Sequence, residues 1–139
     1  MKALWLLFSV LGLVACANPD YVSDDDQQVQ NKPMADGAYF SKVRILAKIS
    51  WENTPNSEQA NAFILNLSAP SDQFNELAVS LWMPSMGHGS IPVKIEKINP
   101  TQYRITDVYF LMPGDWDIRF TLKNNGVVID SAYASMIVP

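Results

Sequence analysis

The chain has little of what most catalytic and metal sites use. Among its 139 residues there is one cysteine, Cys16, and one histidine, His88. One cysteine cannot form an internal disulfide, and one histidine without a free thiol is too little for zinc. No Gly-x-Ser-x-Gly sequence and no recognisable nucleophile–base set occurs, so a non-enzyme is expected. Positive charge is also scarce. Ten Lys and Arg stand against 14 Asp and Glu, with a net charge of −4 and no basic cluster. Nucleic acid and anionic lipid surfaces are therefore not expected as partners. No stretch shows a convincing helical period.

What is present begins with an address. Residues 1–15 open with Met1-Lys2 and continue through an apolar run, ALWLLFSVLGLV, too short for a comfortable membrane span. The run ends in Leu13-Val14-Ala15-Cys16, which resembles the lipobox of bacterial lipoproteins. That resemblance implies cleavage before Cys16, acylation of Cys16 and anchoring to a membrane by several acyl chains, each buried CH₂ adding about 0.8 kcal/mol. Ala17 after the cysteine points to the outer membrane of a Gram-negative cell, facing the periplasm. Loss of Lys2 with the leader takes the formal charge from −4 to −5. Residues 16–37 are polar, acidic and poor in large aliphatic residues, as in a solvated tether. The run Asp24-Asp25-Asp26 reads as hydrated linker rather than as a cation site.

Residues 38–139 read as one domain. Val43, Ile45, Ala47 and Ile49 alternate on one face, as do Phe63, Leu65 and Leu67, then Leu77, Val79, Leu81 and Met83. Ile91, Val93 and Ile95 follow, then residues 103–111, then Trp116, Ile118, Phe120 and Leu122, and residues 127–138 close the chain. Turn clusters separate these runs, and Asn124-Asn125-Gly126 is a strong hairpin signal. About seven strands with turns every 8–12 residues predict an all-β, immunoglobulin-like antiparallel sandwich.

Two motifs carry a further resemblance. Met83-Pro84-Ser85-Met86-Gly87-His88-Gly89 is followed by the Tyr103–Phe110 run and then by Met112-Pro113-Gly114-Asp115-Trp116. Their order is similar to that of the YtkA-like/FixH-like family of bacterial envelope domains, over about residues 42–137. This chain departs from the pattern where Met112 runs directly into Pro113-Gly114. The resemblance implies an immunoglobulin-like sandwich and, for some relatives, copper handling, including the maturation of copper-containing oxidases.

The corner LWMPSMGHGS, residues 81–90, has two readings. Thioether sulfur and imidazole nitrogen are soft to borderline donors that suit Cu(I), so Met83, Met86 and His88 are candidate copper ligands. Gly87 and Gly89 would let the loop fold these donors inward. Trp82 is similar to the tryptophan that caps Cu(I) in small periplasmic copper chaperones, through cation–π contact. Met112 is a candidate fourth ligand. A copper-receiving envelope protein is then the expected partner. In the other reading Met83 is core, Met86 covers the sandwich end, His88 is a turn residue and Met112 a plug. The protein is then a metal-free interaction module of an envelope assembly. Asp115 and Asp117 flank Trp116 and are expected on the solvent face rather than as an acid–base pair.

Overall fold

The computed structural model describes residues 34–139. The leader, the lipidation site Cys16 and tether residues 16–33 lie outside the described residues. Nine strands and no helix occur among them. In chain order they are β1 (Gly37–Phe40), β2 (Ile45–Trp51), β3 (Asn61–Leu67), β4 (Glu76–Met83) and β5 (His88–Gly89). Then come β6 (Lys94–Asn99), β7 (Gln102–Val108), β8 (Gly114–Asn124) and β9 (Val127–Val138).

The strands form where apolar residues recur every second position, because successive side chains on a strand point to opposite faces. In β3, Phe63, Leu65 and Leu67 are buried, and in β8, Trp116, Ile118, Phe120 and Leu122 are buried. Two antiparallel sheets press these faces together. One has the order β1-β2-β3-β7-β6 and the other β5-β4-β8-β9. Set β1 and β5 aside, and the orders β2-β3-β7-β6 and β4-β8-β9 reproduce the A-B-E-D and C-F-G sheets of an immunoglobulin-like sandwich. The fold class read from the sequence is the observed one. The β8–β9 hairpin turns at Asn125 and Gly126, both at positive φ (50° and 81°), as a two-residue hairpin loop requires.

The strand count is nine rather than about seven. Strand β1 has four residues and β5 has two, too few for any period to show. The fold also begins earlier than residue 38. Gly37 pairs with Lys48, and the Ile49 N–H donates to the Asp36 carbonyl at 2.8 Å. Met34 bridges Ala134. Glycine is needed at position 37, since a Cβ there would lie 2.5 Å from the Ala47 carbonyl oxygen. The strand read from Ile91 starts instead at Lys94 and is largely exposed.

Two buried polar side chains hold loops onto this frame. The Asp130 carboxylate accepts the N–H groups of Lys42 and Val43, which pins the β1–β2 turn to β9. Asn61 accepts from Asn53 and from the Asn56 N–H, and donates to the carbonyls of Asn56, Gln59 and Val108. Satisfied in this way, each side chain avoids the cost of a buried unpaired group.

Candidate metal centre

Strand β4 carries the chain to Met83, and Pro84 stops the ladder there. The Met83 carbonyl then accepts the N–H groups of Met86 (3.2 Å) and Gly87 (2.9 Å), closing a tight turn. Gly87 sits at φ +64°, a conformation that glycine reaches without penalty. The chain returns as β5, with Met83 opposite His88 and Trp82 opposite Gly89.

Residues directly opposite across an antiparallel pair share a face. Met83 is buried, 4% exposed, with its side chain inside the sandwich. His88 is therefore directed inward as well, and it is half-buried. Its ring meets Trp116 edge-on, with centroids 6.0 Å apart at 72°. Its Nδ1 lies 3.0 Å from the Gly89 carbonyl oxygen. A carbonyl only accepts, so the contact is a hydrogen bond when Nδ1 carries the proton, and in that neutral tautomer Nε2 keeps its lone pair for a ligand bond. No described residue bonds Nε2. A histidine held by a backbone carbonyl at one nitrogen and open at the other is set up as a ligand.

The remaining candidates are placed differently. Met86 stands on the turn, 60% exposed. Met112 is 37% exposed, on the loop before β8, and its carbonyl accepts the Trp116 Nε1–H at 3.0 Å. Two side-chain bonds tie that loop and the start of β8 to the Met86 turn. The Ser90 hydroxyl donates to the Tyr109 carbonyl, and the Ser85 hydroxyl donates to the Asp115 carboxylate. The Ser85 N–H adds a second bond to Asp115 at 3.1 Å. The Ser85 hydroxyl, most of all, with the backbone N–H groups of Asp115 and Ser85, holds the Asp115 carboxyl below its ordinary pKa, partial desolvation opposing.

Trp82 does not join this corner. Alternation puts it on the outer face, where the Arg119 guanidinium stacks 4.8 Å from its ring centroid. Trp82 lies opposite Gly89, where a Cβ would crowd the Leu81 carbonyl oxygen at 3.1 Å and meet the indole only at an ordinary 3.8 Å. The aromatic wall beside His88 is Trp116, which alternation alone sets on an apolar face with Ile118, Phe120 and Leu122. The signal was available: Trp82 and Met83 are neighbours on one strand and so face opposite ways. Asp117 accepts from the Ser135 hydroxyl at 2.6 Å and, like Asp115, lies on the outer face. The two line a shallow groove of about 500 Å³ with Pro84, Ser135 and Ile137.

Among the described residues no group of three or more His, Cys, Asp and Glu side chains gathers. The soft side chains at this corner are His88 and the thioethers of Met83 and Met86. No protein-family model matches the chain, and no curated protein matches it.

Proposed function

We propose that the β4–β5 corner binds copper as Cu(I) through Met83, Met86 and His88, in a lipid-anchored envelope protein that carries or buffers the ion. One observation carries the reading. His88 is turned inward beside Met83, with Nδ1 engaged and Nε2 open, in a turn that also bears Met86. Two thioethers and one imidazole suit a soft monovalent ion, and without a carboxylate donor they disfavour Ca²⁺ and Mg²⁺. Trp116 walls one side of the histidine, and Met112, whose carbonyl accepts from that indole, is the candidate for a fourth donor. The resemblance to YtkA-like/FixH-like domains and the lipobox at Cys16 support an envelope location at the outer membrane. A corner of this kind binds and releases an ion; it is not equipped for catalysis.

A competition titration of the chain with Cu(I) tests the reading, with the Met86→Ala/His88→Ala double variant alongside. A tight one-to-one site lost in the double variant is the expected result. Equal binding by both proteins would sink it.

One set of observations favours a second reading, a metal-free interaction module. Met83 is packed as core, and Met86, Ile91, Leu111 and Met112 are exposed on neighbouring loops. Those loops, residues 84–92 and 109–114, contain no Asp, Glu, Lys or Arg. An uncharged apolar rim of this kind suits a protein partner. The same titration separates the two, since the module predicts no affinity beyond that of an exposed Met/His pair.

A further inference from the structure

The three donors are not equivalent, and the difference says how the ion would leave. Met83 is 4% exposed and lies in the core cluster of the sandwich. Its methyl group fills the space over Gly114 that a Cβ there would take. His88 is held on two sides, by the Gly89 carbonyl and by Trp116. Met86 is 60% exposed, and among the described residues its one hydrogen bond runs from its backbone N–H to the Met83 carbonyl. Its unbranched side chain has three free torsions and makes no part of the core. A ligand of this kind can detach while the strand, the turn and the other two donors stay in place.

We propose that Met86 is the exchange ligand, the donor replaced when copper passes to an acceptor protein whose own site offers thioether sulfur. The proposal rests on the copper reading. In the exchange, one copper–sulfur bond to Met86 breaks as one to the acceptor forms. Copper stays Cu(I), no electron is transferred, and Met83 and His88 hold the ion until the acceptor supplies further donors. The rim around Met86 favours such an approach. Ile91, Leu111 and Met112 are exposed on the segments that follow Met86 and precede β8, these segments lack charge, and the Ser90–Tyr109 bond keeps them together. Within these segments an acceptor meets no charged side chain to desolvate, and the adjoining Asp115 carboxylate is already engaged by Ser85.

The test uses the full chain in detergent, with ¹³C-labelled methionine methyl groups, loaded with Cu(I) under reducing conditions. The probe is N-acetylmethionine methyl ester, an uncharged thioether. Copper loading should shift the methyl signals of Met83 and Met86. Adding the ester should return the Met86 signal to its metal-free position while Met83 and the His88 ring remain shifted. Met86→Leu, which changes only an exposed side chain, should bind copper more weakly but still one-to-one. If Met83 and Met86 return together, or if Met86→Leu abolishes binding, the exchange assignment is overturned. If no methyl signal shifts on loading, it is the copper reading that fails.

Discussion

His88 is joined to the core of the sandwich through Trp116. Trp116 meets Phe110 with ring centroids 5.5 Å apart, Phe110 meets Trp51 at 6.1 Å, and Trp51 meets Phe63 at 4.9 Å. The histidine closes this aromatic series at 6.0 Å from Trp116. Its orientation is thus set by the core and by the β4–β5 register. The turn supplies only the crossing point.

Replacing the imidazole by a ring of similar shape separates ligand from packing. In His88→Phe the edge contact with Trp116 is kept, a contact of about 0.5–1.5 kcal/mol. Thermal stability should change little, while Cu(I) affinity in a competition titration should drop markedly. His88→Ala should show the same loss of affinity with a modest loss of stability. Full copper affinity in His88→Phe would remove the histidine from the donor set.

Met83 has two roles to separate, core and ligand. Truncation of a buried methionine to alanine costs about 2–5 kcal/mol, through lost transfer energy and the cavity left behind. Met83→Ala should therefore lower the urea midpoint strongly. Met83→Leu conserves volume and should cost less than about 1.5 kcal/mol. It removes the sulfur, however, so copper binding should weaken in a protein of nearly normal stability. Undiminished binding in Met83→Leu would leave Met83 as core alone.

The sandwich was legible in the sequence because its long strands alternate cleanly. Strands β3, β4 and β8 each carry three or four inward apolar residues, enough to reveal a period of two. Strand β5 has two residues and was not legible, although its register turns His88 inward. Trp82 and Trp116 illustrate the same limit. Nearness in sequence suggested Trp82 as the aromatic neighbour of the histidine, and strand geometry gives that place to Trp116. Met86 and Met112 were found as residues, but their exposure follows from the turn and loop that carry them, which alternation does not describe.

Gly114 and Met83 should prove energetically coupled. Gly114 sits at φ +139°, and a Cβ added there would stand 2.5 Å from the Met83 methyl carbon. Gly114→Ala should cost about 1–3 kcal/mol from backbone strain, with a further cost because a buried methionine must shift. In a Met83→Ala background the new methyl group meets open space and only the backbone cost remains. A double-mutant cycle from urea denaturation should give a total smaller than the sum of the single effects, by about 0.5–3 kcal/mol. Strict additivity would mean that Met83 moves aside freely and that the tight contact has no energetic consequence.

The Ser85–Asp115 clamp gives the Met86 turn a defined response to acid. The Ser85 hydroxyl, then the backbone N–H groups of Asp115 and Ser85, stabilise the ionised carboxylate and lower its pKa in the folded protein, against partial desolvation. A folded value below the unfolded one means that the carboxylate contributes stability at pH values above the ordinary 3.8. That contribution fades as the pH falls below 3.8 and is lost once it passes through the lowered folded value. The turn should therefore stay clamped throughout the neutral and mildly acidic range and loosen only in stronger acid. The measurement is the ¹³C shift of the Asp115 carboxyl against pH, followed with the Ser85 amide proton. Both should move together, with a midpoint below 3.8, and the amide transition should vanish in Asp115→Asn. A midpoint at or above 3.8 would show that the two serine bonds do not favour the charged form, and the clamp would then have no part in holding the Met86 turn.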